Sequence, residues 1–339
     1  MRKISGLIAC LLLMHAATIL AQHLSPFEGE SNKWGYKDDK GKVVVSPQFD
    51  HACKASEGMS RIGIGRHSDR KFGFIDAKGK IVVPAVYGFA GDFSDGLAAV
   101  KKGDKWGFID KNGNTVIGFH FTNALEFSEG LAAVCRMEQE ESKWAFIDKN
   151  GKEITHYKYD GADIFKSGRA WVKLNGKQDE EEIWAALDQF GREVTPFKYN
   201  EAYAFCDGLA AVRTGSKWGY VDLYGNEIIG PKYDEALDFS EGRAGVILRS
   251  STDGTSKWGF IDTKGDVAIP IKYDRLKPFG EGLAAVRSGE KWGFVDLDGK
   301  EIIPMKFDDV TGEKFNGGKI EVKLGNNVFQ IDKSGNEVR

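Results

Sequence analysis

The sequence predicts an all-β protein built from tandem repeats, each a three-stranded antiparallel β-meander. A segment reading Lys-Trp-Gly-Phe-Ile-Asp-x-x-Gly recurs along the 339-residue chain, with its aromatic anchors 34 to 40 residues apart. The anchors are Trp34, Phe72, Trp106, Trp144, Trp184, Trp218, Trp258, Trp292 and Phe329. A period of this length indicates an array of small structural units, so a residue found in every repeat is expected to build the unit.

Three runs in each repeat have the composition of β-strands. The first reads Leu-Ala-Ala-Val (residues 97–100), the second Trp-Gly-Phe-Ile-Asp (residues 106–110), and the third is β-branched (residues 81–83). Such runs, bounded by Gly, Asn, Asp and Pro, are typical of strands. The Asp-Lys-Asn-Gly link at residues 110–113 suits a type I turn followed by a left-handed glycine, which predicts a tight hairpin.

The rest of each repeat reads Pro-x-Lys-Tyr-Asp-x-Ala-x-x-Phe-Ser-Glu-Gly, as in residues 231–242, where one position is missing. We interpret this segment as the crossover to the next unit, with its Tyr and Phe rings buried. The middle strand is apolar on both faces and must be covered on both. Stacked repeats supply that cover, which favours a β-solenoid. The alternative is a closed β-propeller, whose blades usually have four strands.

The chain divides into three predicted segments. Residues 1–21 are predicted to be a secretory signal peptide, because Arg2 and Lys3 precede an apolar stretch at residues 8–20. Residues 22–31 are a predicted linker, and residues 32–339 a domain of eight repeats plus a closing hairpin. No later stretch approaches the roughly 20 apolar residues of a membrane span. We therefore expect an exported protein that does not span the membrane.

Charge and cysteine content exclude some functions. Without Arg2 and Lys3, 45 basic residues stand against 50 acidic ones, a net charge of −5. This balance disfavours nucleic acid as a partner, since phosphate binding requires a basic surface. The three cysteines that follow the predicted signal peptide, Cys53, Cys135 and Cys206, are odd in number and far apart, which excludes a complete disulfide framework. We expect buried or half-buried thiols.

The assembled motif resembles the WG-repeat (KWG-repeat) family of bacterial proteins. The resemblance covers roughly residues 32–338 and is carried best by residues 105–110 and 127–134. Departures are Phe72 for Trp, Ala145 for Gly, and residues 185–187 (Ala-Ala-Leu) for Gly-Phe-Ile; we expect them to loosen packing. The resemblance implies a β-repeat architecture and no settled biochemical activity. A weaker, shorter similarity links the hairpins to cell-wall (choline) binding repeats.

The sequence predicts no catalytic, cofactor or metal site. No histidines have metal-ligand spacing, and no nucleophile elbow or phosphate-binding loop is present. His51 and Cys53 are two residues apart and can share a strand face, but a degenerate terminal repeat is the favoured interpretation. The Asp-x-x-Gly segments lack the spacing of a calcium loop, which favours turn formation. We therefore predict that the protein is not an enzyme.

Two irregularities are candidate partner-binding features. The first is a pair of inserted acidic loops, which can form a negative patch for a cationic partner or a divalent ion. The alternative interpretation is that they are solvated loop tips without a partner. Trp171 replaces an alanine of Leu-Ala-Ala-Val in one repeat only and precedes the second loop. The candidate residues are Glu138, Glu140, Glu141, Trp171, Asp179, Glu180, Glu181 and Glu182.

The predicted function is that of a non-enzymatic exported scaffold for protein–protein interaction at the cell envelope, in the periplasm or on the surface of a bacterium. The alternative is a module that binds cell-wall polysaccharide through exposed aromatic residues. The partner is an unknown protein or a cell-wall glycan. The aromatic ladder separates the two hypotheses: recurrence in phase with the strands favours a buried core, whereas glycan binding requires exposed rings.

Overall fold

The computed structural model describes residues 24–175, 182–250 and 254–338, and every regular element in those ranges is a β-strand. The strands form small antiparallel sheets, which confirms the all-β repeat prediction. Across the same ranges no helix is long and apolar enough to cross a membrane. Two compact units are present: Met1–Asp92 with Lys111–Gly113, and Phe93–Asp110 with Asn114–Arg339. The predicted signal peptide, residues 1–21, lies outside the described residues.

Two kinds of strand recur through the chain and keep their composition. The Trp strands contain the aromatic anchor: Trp34–Lys37, Lys71–Asp76, Lys105–Asp110, Glu141–Asp148, Ile183–Asp188, Lys217–Asp222, Ser256–Ile261, Lys291–Asp296 and Asn327–Asp332. The Ala strands contain Leu-Ala-Ala-Val or its variants: Met59–Ile64, Leu97–Lys102, Leu131–Glu138, Arg169–Leu174, Leu209–Thr214, Ala244–Arg249, Leu283–Ser288 and Lys319–Leu324. Each Ala strand pairs with the Trp strand that follows it. A sheet thus joins the end of one sequence repeat to the start of the next.

Two further kinds of strand flank this pair. Third strands follow the Trp strands: Val43–Phe49, Ile81–Tyr87, Thr115–Phe121, Glu227–Tyr233, Val267–Tyr273, Glu301–Phe307 and Glu337–Val338. Short strands precede the Ala strands: His51–Ser56, Phe89–Ala90, Asn123–Ala124, Gly161–Ala162, Glu201–Ala202, Glu235–Ala236, Arg275–Leu276 and Asp309–Val310. Most sheets have four strands rather than the predicted three. The extra strand comes from the predicted crossover, whose Tyr233 and Phe239 rings are buried as expected.

The first and last segments of the described chain contribute to sheets. Ser25–Glu28, within the predicted linker of residues 22–31, pairs with the first Trp strand in the place that an Ala strand takes elsewhere. The predicted closing hairpin supplies the Trp strand and third strand of the last sheet. That hairpin therefore completes a sheet that the preceding repeat begins.

The glycine of the Trp strand allows the third strand to approach closely. The register of the third strand shifts on both sides of Phe108. A Cβ atom on Gly107 would lie only 2.7 Å from the carbonyl oxygen of Ile117, so no side chain fits there without movement. The glycine of the repeated motif is thus required by packing.

Alanine replaces this glycine in two repeats, and both lose the regular third strand. Isolated bridges remain, such as Trp144 with Tyr159. The N–H of Phe146 donates instead to the hydroxyl of Thr155 at 3.0 Å, and Ala186 donates to Thr195 at 2.8 Å. Strand pairing therefore changes in these two repeats while both alanines stay fully buried, and the expected loosening of packing stays a prediction.

The Asp-x-x-Gly turns are closed by their own aspartates. Asp148 Oδ1 accepts the N–H groups of Asn150 and Lys152, both at 2.9 Å, and Gly151 has a φ of +81°. The same pair of bonds recurs at Asp38, Asp76, Asp188, Asp222, Asp262, Asp296 and Asp332. The interpretation of these aspartates as turn formers is confirmed.

Carboxylates of the Phe-Ser-Glu-Gly segment join consecutive repeats of the second unit. Glu129 Oε2 accepts the N–H of Gly168 at 2.7 Å, 39 residues further along the chain. Equivalent bonds link Asp95 to Gly130, Asp207 to Gly242, Glu241 to Gly282 and Glu281 to Gly318. This recurring acidic residue therefore has an architectural role and is not a catalytic candidate.

Candidate functional site

The tryptophan anchors lie at the margin of the core. The rings two residues further on, such as Phe108, are fully buried. Trp218 and Trp292 are 5% exposed, which confirms the core interpretation for them. Five of the tryptophan anchors are half-buried: Trp34, Trp106, Trp144, Trp184 and Trp258. The Trp strands therefore leave part of an aromatic row in contact with solvent.

Two tryptophan anchors, Trp258 and Trp292, line a groove of about 730 Å³, here called the tryptophan groove. It extends over the last repeats of the second unit. Its apolar lining is Trp258, Trp292, Ile247, Leu276 and Val310, and its polar lining is Glu235, Asp274, Arg275, Lys277, Asp309 and Thr311. The groove thus combines an apolar surface with charges of both signs.

The charges of the tryptophan groove are of two kinds. Asp274 is already engaged: the Lys257 ammonium group bonds to it and holds the pKa of that carboxyl below its usual range, and Gly289 N–H also donates to it at 2.7 Å. Glu235, Arg275 and Asp309 instead begin three successive short strands. Equivalent positions of neighbouring repeats therefore present negative, positive and negative charge in turn.

A smaller groove of about 340 Å³ occupies the equivalent position around Trp184. It is lined by Glu182, Trp184, Asn200, Glu201 and Arg213. Arg213 pairs with Glu201 at 2.7 Å, and Glu182 with Lys173 at 2.5 Å. Of the predicted site residues, Glu182 thus borders a groove, but its charge is balanced by a lysine.

The other predicted acidic residues lie in one hairpin or beyond the described ranges. Glu138 pairs with Arg136 at 2.6 Å, and Glu141 with Lys143 at 2.6 Å. Glu140 lies in the turn between them, with a φ of +71°. Asp179, Glu180 and Glu181 lie outside the described residues. The structure brings Glu138, Glu140 and Glu141 together but surrounds them with basic partners, and their role in partner binding stays a prediction.

Trp171 has a packing role that the sequence reasoning missed. It pairs across the sheet with Ala186, whereas the usual pair is an alanine opposite a ring, such as Ala99 opposite Phe108. Its indole stacks on Phe205 with ring centroids 5.5 Å apart, its Nε1 donates to the Tyr203 carbonyl, and it is 3% exposed. The sequence contained a signal for this role: in the same repeat, Ala186 stands where the other Trp strands usually have Phe.

A cavity of about 290 Å³ borders Trp171 and also contacts Lys166 and Arg169. The Lys166 ammonium group donates to Cys206 Sγ at 3.3 Å. Burial raises the pKa of the nearby Asp238 carboxyl, and Lys166 opposes that shift. Partner binding by Trp171 stays a prediction.

Strand composition, turn chemistry and the coupling of repeats define the class as a tandem β-repeat protein. The family described as a WG containing repeat matches the chain eight times, at residues 34–65, 72–106, 106–136, 144–177, 184–218, 218–249, 258–292 and 292–327. The chain therefore belongs to the WG-repeat family, as its motif predicts. No curated protein matches the sequence.

Solved structures with a similar chain path are distant in sequence. The crystal structure of a eukaryotic initiation factor is 12% identical, covers 94% of this chain and 95% of that chain, and gives a TM-score of 0.55. The β-propeller domain of the Trilobed protease from Pyrococcus furiosus is 10% identical, covers 86% and 97%, and gives a TM-score of 0.34. The first likeness concerns the fold alone, and the second is too weak to support an argument.

Proposed function

We propose that this protein is a non-enzymatic, exported binding protein that acts as a scaffold for protein partners at the cell envelope. The tryptophan groove carries the proposal. Its apolar surface provides hydrophobic contact, and Glu235, Arg275 and Asp309 on successive repeats provide charges of alternating sign. Repeat proteins use extended surfaces of this kind for binding, and charge alternation selects a partner of complementary pattern.

A polypeptide fits the tryptophan groove better than a glycan does. Sugar rings stack on open aromatic faces, but Trp292 is only 5% exposed. Trp258 is half-buried. The charged groups at the rim can pair with lysine, arginine and carboxylate side chains of an extended peptide.

Site-specific photo-crosslinking tests this proposal. A photoreactive amino acid at position 275, within the tryptophan groove, is expected to give a discrete protein adduct in cells. The same group at Tyr224, which is 77% exposed on an Asp-x-x-Gly turn, is the matched control and should give none. Glu235→Arg should abolish the adduct at position 275. Adducts of equal yield at both positions, or insensitivity to Glu235→Arg, would contradict a partner site in the groove.

Polysaccharide binding is the second candidate, favoured by the five half-buried tryptophans. The protein would be sedimented with insoluble peptidoglycan across a salt series. Salt-resistant pelleting that Trp258→Ala abolishes would support aromatic glycan recognition. Pelleting that moderate salt abolishes indicates charge attraction and would eliminate this candidate.

We further propose a stacked arrangement of the sheets, as an open β-solenoid or its alternative, a closed β-propeller. The carboxylate-to-glycine bonds between repeats support regular stacking in either case. Four-stranded sheets remove the strand-count objection to a propeller, since its blades usually have four. Small-angle X-ray scattering distinguishes the two: a closed ring gives a compact distance distribution, and an open solenoid an extended one.

A further inference from the structure

Three departures from the repeat converge in the first unit. His51 and Cys53 lie on the strand His51–Ser56, which has six residues where later short strands have two. Arg61 stands at the second alanine position of its Ala strand. A residue with a chemical role at a single site should differ from the residue at the same position in other repeats. This cluster is therefore a candidate for a chemical role in addition to the structural one.

The three side chains are in contact. Cys53 Sγ lies 3.2 Å from His51 Nε2 and 3.2 Å from Arg61 Nη2. The guanidinium group donates to the sulfur, and the sulfur is within hydrogen-bond distance of the imidazole nitrogen. All three residues are half-buried, so the sulfur is neither sealed in the core nor fully solvated.

The surrounding groups hold this arrangement and keep the imidazole a proton acceptor. Burial lowers the pKa of His51. The positive charges of Arg61 and Arg70 lower this pKa further, and the negative charge of Asp92 raises it. His51 is therefore neutral near pH 7. The Arg61 guanidinium also donates to the Ala90 carbonyl and lies 3.5 Å from Asp92. It is thus fixed beside the sulfur.

We propose that Cys53 is a reactive thiol that forms mixed disulfides, with His51 accepting its proton and Arg61 stabilising the thiolate. The Cys53 sulfur attacks one sulfur of an incoming disulfide. The old S–S bond breaks as the new one forms, and the leaving thiolate takes the proton held by His51. One disulfide replaces another, so no oxidant is consumed. Arg61 and Arg70 favour a disulfide that carries carboxylates.

The chain contains its own comparison thiols. Cys135 is 3% exposed. Cys206 is half-buried like Cys53 and also touches a cation, Lys166, but no histidine contacts it among the described residues. Cys206 therefore matches Cys53 in exposure and in a neighbouring positive charge, but it contacts the Asp238 carboxyl where Cys53 contacts an imidazole.

The test treats the native protein with a small amount of 5,5′-dithiobis(2-nitrobenzoate), a dicarboxylate disulfide, and maps the labelled cysteine by mass spectrometry. We expect Cys53 to react at least about tenfold faster than Cys206 and Cys135. His51→Gln should slow Cys53 by about tenfold, while the matched control Lys54→Gln, an exposed change on the same strand, should leave the rate unchanged. Cystamine, a cationic disulfide, should react more slowly than the anionic probe.

Two results would overturn the proposal. One is labelling of Cys206 before Cys53 in the native protein, a comparison that needs no variant to fold. The other is an unchanged Cys53 rate in folded His51→Gln, which would show that the imidazole contact plays no part. Circular dichroism of each variant verifies its fold.

Discussion

At the scale of single residues, the repeat tolerates change where a partner residue compensates. Ala99 faces Phe108, whereas Trp171 faces Ala186. Each pair supplies one large ring and one small side chain, so the combined size of the pair is kept. A packed core requires that the total side-chain volume be kept. Here the ring lies on the Ala strand and the alanine on the Trp strand, the reverse of the usual arrangement.

Trp171→Ala should therefore create a cavity and cost about 3–5 kcal/mol of the free energy of unfolding. Adding Ala186→Phe should restore part of that loss, because it recreates the usual alanine–ring pair. Urea unfolding of the single and double variants measures both effects. A double variant less stable than Trp171→Ala would contradict the exchange.

Thr155 provides a second residue-scale test, because its hydroxyl replaces a lost strand bond. Thr155→Val keeps the shape of the side chain but leaves the buried N–H of Phe146 without its acceptor. The expected cost is about 1–3 kcal/mol, measured by urea unfolding. Thr155→Ser keeps the acceptor and should cost less, so an equal or larger loss in the serine variant would refute this role.

At the scale of elements, pattern and turn chemistry predicted the Ala strands, the Trp strands and their tight hairpins. The short strand was missed because two residues such as Glu235–Ala236 are too few to show alternation. The loss of two third strands was missed for a different reason. It depends on the contact between the Trp-strand glycine and a facing carbonyl, which becomes visible only once the strands are paired.

A lysine–aspartate clamp within the repeat predicts acid sensitivity. Lys217 bonds to Asp234 at 2.6 Å and Lys257 bonds to Asp274; each lysine lowers the pKa of its partner. A carboxyl whose pKa is lower in the folded state than in the unfolded state stabilises the fold at pH values above the unfolded-state pKa. This stabilisation is lost as the pH falls through the folded-state pKa. The contribution should thus be complete above about pH 5 and decline below about pH 4.

Asp274→Asn should flatten this acid-induced loss by at most about 1 kcal/mol, since the pair is partly exposed. Urea unfolding at about pH 7 and about pH 3 measures the difference. Glu290→Gln, an acidic residue outside the clamp, is the control and should retain the wild-type pH dependence. An identical dependence in Asp274→Asn and the wild type would show that the clamp contributes nothing.

At the scale of the whole chain, the sequence predicted the repeat architecture but not the tryptophan groove. Glu235, Arg275 and Asp309 stand at a variable position of the motif, so no recurring residue type marked them. They were found only because the short strands place them at equivalent positions beside Trp258 and Trp292. The recurring residues of this chain therefore revealed its architecture, and the residues at variable positions did not reveal the groove.

The offset between sheets and sequence repeats gives a whole-chain prediction. Asn327–Asp332 is the Trp strand of the last sheet, and its Ile331 is fully buried. Truncation after Asn326 should expose the apolar face of that sheet and add an early unfolding transition in calorimetry. Remaining repeats should unfold as before, because each contacts mainly its neighbours. Truncation after Asp332 keeps the Trp strand and is the matched control. An unchanged calorimetric profile after the longer truncation, or complete loss of folding, would contradict this account of how repeats share their sheets.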